Sequence, residues 1–322
     1  MAPCMSLTVR AYRSDDEFGI MAGFNASFGL VRDERYWCWK YLHDGKAMAW
    51  LAVDDQQRVL THLAAHPITW SSPHGDWQVA HAGDAFALRL PEVAHGRAML
   101  KTIAAFHRAQ REHNELKLLF GFPSATLSGL HQTLTPLHGK QRPIQLWQHL
   151  PCDCPPNSLV HSGLPERKAL DALWLRCAER YTLSCRRNSE WVSWRFLQRP
   201  DVQDYIYLHV IDSAGELACW AVLRKKEGVL WICDVLWDGI STTSIENLLQ
   251  QTRFIAMQGN CTSISMWMEG DAALVEILTQ LSWENISHSH CVQLLMHAYD
   301  TSLDYEWIRN SLYITKADSD LI

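Results

Sequence analysis

Apolar and polar positions alternate in short runs along this chain, separated by stretches of helical period. Leu7-Thr8-Val9-Arg10-Ala11-Tyr12 alternates as a strand. Ser14-Asp15-Asp16-Glu17 follows as a capping-box pattern, starting an amphipathic helix that reaches about Phe28. A second helix carries Tyr36-Trp37-Cys38-Trp39-Lys40-Tyr41-Leu42, and a hairpin over 49–66 turns at Asp54-Asp55. Residues 77–88 read as a further strand, with a bulge at Gly83. The period over 96–113 predicts a helix with Met99, Leu100, Ile103 and Phe106 facing inward. A buried strand at 116–120, a helix at 125–134 and strand material at 144–147 close this half.

The order then recurs. A helix at 166–178 precedes Trp191-Val192-Ser193-Trp194-Arg195-Phe196-Leu197, which repeats the aromatic, Trp, basic, aromatic and Leu positions of the first aromatic run about half a chain later. A hairpin follows both copies; the second joins 205–210 to 217–223 through Asp212-Ser213-Ala214-Gly215-Glu216. Next come a strand at 229–236, a helix at 244–258, a strand at 263–268, a helix at 271–281 and terminal strands. The pattern predicts an α/β (α+β) chain of two tandem domains, each a mixed, mostly antiparallel sheet flanked by helices. Pro151, Pro155, Pro156 and Pro165 mark a linker at 151–166, between domains at 1–150 and 167–322.

Composition narrows the function classes. With 48% apolar and 20% charged residues, 322 residues can build packed cores. A net charge of −6 implies no basic surface for nucleic acid. No apolar run approaches the ~20 residues needed to span a bilayer. The opening stretch carries no apolar signal region, so the expectation is a cytoplasmic protein with reduced thiols. Only Cys152 and Cys154 of the 10 cysteines lie close together, and Cys38, Cys177, Cys219, Cys233 and Cys291 sit in apolar patterns. The 16 histidines are scattered, no metal site is expected, and the Walker, nucleophile-elbow and zinc-protease motifs do not occur.

This element order, with Leu7-Thr8-Val9-Arg10 before Asp15-Asp16 and Trp39-Lys40-Tyr41 before a hairpin, resembles the GNAT (GCN5-related N-acetyltransferase) superfamily in tandem form. The resemblance implies an acyl-CoA co-substrate, acetyl-CoA first among them, and a pyrophosphate loop opening the helix near 96. Its best match is Val93-Ala94-His95-Gly96-Arg97-Ala98, where Gly96 and Ala98 fit and Val93 replaces Gln or Arg. Independent physics agrees: a helix start with unpaired N–H groups attracts an anion, and no carboxylate lies between Glu92 and Glu112. An ordinary loop-to-helix junction is the competing reading. In the second half, Thr243 and Glu246 read as a capping box and Asp238 adds negative charge, so that copy is expected to bind no CoA.

By the same resemblance, Leu88, Arg89 and Leu90 would hold the pantetheine arm through backbone groups. The family's downstream pattern falls on Ser124 to His131, placing Ser124 at the cofactor and His131 where a tyrosine acid often stands. His131 reads equally as a residue on an amphipathic helix. For a general base, Asp84 and Glu92 are the nearby carboxylates; Asp84 is the better candidate because burial would raise its pKa. It reads equally as a buried hydrogen-bonded aspartate or as the turn of a bulge after Gly83. Tyr36, Trp37, Trp39 and Tyr41 line an acceptor pocket or fill the core. The Ile314–Asp320 ending reads as a family-like acidic terminus or as a solvated tail. The leading expectation is a CoA-dependent N-acyltransferase acting on a small-molecule or peptide amine by direct attack on the thioester. The alternative is a non-catalytic acyl-CoA sensor or scaffold of the same fold. Aminoacyl transfer from tRNA, as in Fem-type enzymes, is opposed by the net acidity.

Overall fold

The computed structural model describes residues 7–42, 45–90, 95–113, 115–124, 126, 127, 129, 142–287 and 292–320. The chain divides into two compact units, Met1–Ile68 with Trp77–Arg142 and Gln293–Leu303, and Thr69–Asp76 with Pro143–Val292 and Asp304–Ile322. Each unit therefore takes chain from both sides of the proline-rich stretch.

The first unit runs β1 (Thr8–Ala11), α1 (Asp16–Phe28), α2 (Glu34–Tyr41), β2 (Met48–Val53), β3 (Val59–Ser71), β4 (Trp77–Ala87), α3 (His95–His113) and β5 (Leu118–Gly121). Strands β1 to β4 are hydrogen-bonded neighbours in chain order, β4 and β5 run parallel, and the strand Gln293–Ala298 pairs antiparallel with β5. Alternation along β2 sorts the core. Ala49, Leu51 and Val53 pack with Ile20, Phe24, Trp37 and Tyr41 under α1 and α2. Met48 and Trp50 face the other way, toward Met99, Ile103 and Phe106 of α3. Thr102 ties α3 to β3 through Thr61 at 2.6 Å.

Two local expectations change. Helix α1 has no side-chain cap; Asp15 takes φ 75°, and Asp16 accepts from the Arg13 amide at 2.7 Å while pairing with Arg10. The bulge in β4 centres on Asp84, whose φ is 49°, rather than on Gly83. Ala82 and then Ala85 and Ala87 all face the α3 core, so one extra residue is absorbed between them.

The second unit contains β6 (Leu146–His149), β7 (Val160–Ser162), α4 (Arg167–Arg180), β8 (Leu183–Cys185), α5 (Ser189–Val192), β9 (Tyr205–Ile211), β10 (Leu217–Lys226), β11 (Val229–Trp237), α6 (Thr242–Gln258), β12 (Ser263–Glu269), α7 (Ala272–Gln280), α8 (Tyr305–Ser311) and β13 (Leu312–Thr315). A π-type turn, Ser193–Leu197, continues α5 through the second aromatic run. Strand β7 lies inside the expected linker as an edge strand on β9, the one sheet position that tolerates neighbouring prolines. Helix α6 begins at Thr242, capped by the Ser241 side chain, and not on a Thr243–Glu246 box. The terminal segment is not a solvated tail: Thr315, Lys316, Ala317, Asp318 and Ser319 are all buried. None of the described helices is long and apolar enough to cross a membrane.

Candidate active site

In the first unit β4 and β5 pair only from Val79–Leu118 to Ala82–Gly121. Gly121 marks the pinch point, because a Cβ there would lie 2.8 Å from the Ala82 carbonyl oxygen. Beyond it β5 ends at Phe122-Pro123, and the Asp84 bulge re-aims β4, so the two strands part. The Leu88 amide donates to the Leu60 carbonyl at 2.8 Å and is thus spent on β3. Strand alternation turns the Ala87 amide, at the end of β4, away from β3. The expected pantetheine contacts Leu88, Arg89 and Leu90 follow directly on the end of β4 at Ala87. Leu90 is half-buried just beyond.

Helix α3 opens toward the same end of β4, and its first turn carries no acidic residue. Gly96 is half-buried, and a Cβ added to it would meet no atom of the described residues within 4 Å. Arg97 is exposed, while Ala98 is buried at 2% as part of the α3 core. The residues at this helix start thus fit an anionic group. Ser124 is exposed, and its Oγ accepts from the Leu127 amide at 3.4 Å. Glu92, Val93, Ala94 and His131 lie outside the described residues, as does most of the helix expected at 125–134.

Asp84 does not present a free carboxylate. Its Oδ2 accepts from Lys40 Nζ at 2.8 Å and from the Tyr41 hydroxyl at 2.9 Å, with Arg32 at 3.9 Å from Oδ1. The buried hydrogen-bonded reading and the bulge reading therefore both hold. Lys40 is 2% exposed, so the pair locks α2 to β4. His62 is locked beside it: Nδ1 donates to the Asp84 carbonyl at 2.8 Å, and Nε2 accepts from Trp37 Nε1 at 3.2 Å. Burial pushes the His62 pKa down to about 4, so the ring is neutral. Tyr36, Trp37 and Tyr41 are buried, and Trp37 and Tyr41 belong to the core.

The second unit has the same strand event with a different outcome. Strands β11 and β12 run parallel from Val229–Ser263 to Ile232–Met266, and Cys233 is the extra residue opposite β10. Where they part, β13 enters: Ile314 and Thr315 pair with Glu269 and Met268. Gly270, at φ 84°, permits this, since a Cβ there would strike the Leu312 carbonyl. The inserted segment is fixed by a fully buried Arg187, which donates to Asp234 at 3.1 Å, Asp318 at 2.5 Å and Thr315 at 3.2 Å. Arg195, the basic residue of the second aromatic run, donates to the carbonyls of Ala317 and Ser319 at 2.8 and 2.6 Å. Lys316 Nζ lies between the rings of Trp231 and Trp267, 4.0 and 4.1 Å from their centroids. Sequence reasoning missed this closure because its partners lie far apart in the chain. Lys40 and Arg195, matching positions of the repeat, were the available signal: both are buried cations.

Among the described residues no group of three or more His, Cys, Asp or Glu side chains could hold a metal ion.

This mixed sheet, with a bulged β4 and a parallel β5, is the fold seen in solved GCN5-related N-acetyltransferases. Solved structures agree. An Enterococcus faecalis protein described as a probable N-acyltransferase matches 91% of this chain and 72% of its own, with TM-score 0.66 and 9% identity. A GCN5-related N-acetyltransferase from Kribbella flavida matches 92% and 72%, with TM-score 0.63 and 11% identity. Saccharomyces cerevisiae N-myristoyltransferase with bound myristoyl-CoA matches 90% and 78%, with TM-score 0.58 and 10% identity. No family model and no curated protein matches this sequence.

Proposed function

We propose that the first unit binds acyl-CoA, acetyl-CoA foremost, in the gap between β4 and β5, and transfers the acyl group to a primary amine of a peptide or small molecule. The observation that carries this reading is the acid-free start of α3 beside an open strand edge. The N–H groups of the first turn of α3, with Arg97, would hold the pyrophosphate. The Ala87 and Arg89 amides would hold the pantetheine arm and polarise the thioester carbonyl. The amine, as the free base, attacks that carbon directly: a C–N bond forms, the C–S bond breaks, the thiolate leaves, and the proton lost from nitrogen passes to water. His131 is the candidate donor of the proton that the thiolate takes up. Asp84 supplies no base in this scheme; it fixes α2 against the strand that carries those amides.

The second unit serves as a structural or acceptor-shaping partner, since its own chain fills the corresponding gap. A second reading, an acyl-CoA sensor without turnover, is favoured by the engagement of Asp84 with Lys40 and Tyr41. Thiol release from acetyl-CoA in the presence of pooled peptides, polyamines and amino acids separates the two. Amine-dependent release supports the transferase. Acetyl-CoA binding without release from any pool supports the sensor, and neither binding nor release removes both.

A further inference from the structure

Cys152 and Cys154 flank Asp153 in a stretch bounded by Pro151, Pro155 and Pro156. The Cys154 amide donates to the Cys152 carbonyl at 2.9 Å, closing a γ-type turn. Two extended residues span up to roughly 7 Å. The turn shortens this toward the ~4.4–6.8 Å window in which Cα atoms are bridged by a disulfide. Cys152 and Cys154 are half-buried, whereas Cys177, Cys185, Cys219, Cys233 and Cys261 are buried. The prolines stiffen the backbone on both sides, so little freedom is lost when the sulfurs join. The turn sits on α6: Cys154 Sγ donates to the Gln250 carbonyl at 3.9 Å, and Asn157 bonds Asn247, Gln250 and Gln251 at 2.9, 3.1 and 2.7 Å.

We propose that Cys152 and Cys154 form a reversible intramolecular disulfide by exchange with a low-molecular-weight disulfide of the glutathione type. The Cys154 thiol is engaged with the Gln250 carbonyl, so the first attack falls to Cys152. The Cys152 thiolate attacks one sulfur of glutathione disulfide, breaking that S–S bond and releasing one glutathione thiolate. Cys154, deprotonated, then attacks Cys152 Sγ in the mixed disulfide and releases the second glutathione. The protein dithiol loses two electrons and two protons, and glutathione disulfide gains them as two thiols. A disulfide closed over so short a loop is strained and readily reduced, as suits a reversible site. Oxidation also removes the S–H donated to Gln250, leaving the Asn157 bonds to hold the connector on α6.

The test uses the full chain equilibrated in glutathione buffers from fully reduced to fully oxidised, quenched with acid, alkylated and mapped by mass spectrometry. In oxidised buffer the peptide spanning 152–154 should lose the mass of two hydrogens, and alkylation of both residues should fall from near-complete to near-zero. Dithiothreitol should reverse both changes. The Cys154→Ser chain should trap glutathione on Cys152. Alkylation of both thiols at every buffer ratio, or a wild-type chain that stops at a stable glutathione adduct, overturns the proposal; neither result depends on a variant folding.

Discussion

Replacing Arg187 with methionine would remove the cation that holds the terminal segment between β11 and β12. The guanidinium is fully buried, bonds Asp234, Thr315 and Asp318, and lies 5.3 and 4.9 Å from the ring centroids of Trp191 and Tyr313. Methionine keeps much of the volume but leaves two buried carboxylates without their cation. Breaking a buried pair from one side costs about 3–5 kcal/mol. In a domain of this size each kcal/mol shifts the melting temperature by roughly 2–4 °C, so the variant should melt roughly 6–20 °C lower. The loss should depend on pH. Burial already raises the pKa of Asp234 in the wild type, and removing Arg187 raises it further. A folded state with a raised carboxyl pKa binds more protons than the unfolded chain, so the variant's deficit should shrink as pH falls from 7 toward 5. Differential scanning fluorimetry of Arg187→Met, with and without Asp234→Asn and Asp318→Asn, reads both effects. A loss below about 1 kcal/mol, the size of an exposed pair, or a deficit that grows at low pH, would refute the reasoning.

Asp84→Asn removes the charge opposite Lys40, whose side chain is 1% exposed, and should cost about 3–5 kcal/mol in urea unfolding. Lys40→Met combined with Asp84→Asn, which keeps a residue tolerant of φ 49° at position 84, should cost less than Asp84→Asn alone; equal or greater cost would speak against the pair being a buried lock. His62, lowered from 6.5 to about 4 by burial, binds fewer protons folded than unfolded, so its contribution is intact above pH 6.5 and lost as pH falls toward 4. Comparing wild type with His62→Gln should show about 3 kcal/mol of wild-type stability lost over that window, and an NMR titration should find the His62 ring neutral at pH 6. Lys316, lowered by burial from 10.5 to about 8, binds fewer protons folded than unfolded, so wild-type stability should gain relative to Lys316→Met as pH rises from 8 to 10. Parallel difference curves would show that Lys316 does not titrate in the fold.

Much of this architecture is local in origin and therefore legible in the chain. The alternation of Ala49, Leu51 and Val53 places one face of β2, and the period of Met99, Ile103 and Phe106 places the inner face of α3. The fold class follows from such runs, and the solved structures agree with it. The parts that escaped depend on distant partners. A break in β4 is signalled by Gly83, yet the positive φ falls on Asp84, because Lys40 and Tyr41 hold that side chain from 44 and 43 positions away. The terminal segment reads as polar and solvated until Arg187, 131 positions from Asp318, and the rings of Trp231 and Trp267 surround it. The start of α3 was visible as a run without carboxylates, but which amides face the gap depended on where the bulge shifted the strand. The Leu88 amide, for one, is spent on the Leu60 carbonyl of β3.

Calorimetric titration of acetyl-CoA into the full chain, wild type beside Gly96→Glu, tests the central claim most directly. A Cβ at Gly96 meets no atom of the described residues within 4 Å, so the variant should keep its fold and differ chiefly by a negative charge at the helix start. The account predicts saturable binding at one site per chain, weakened roughly tenfold by the glutamate. No heat from the wild type, or superimposable isotherms for the two proteins, would contradict it.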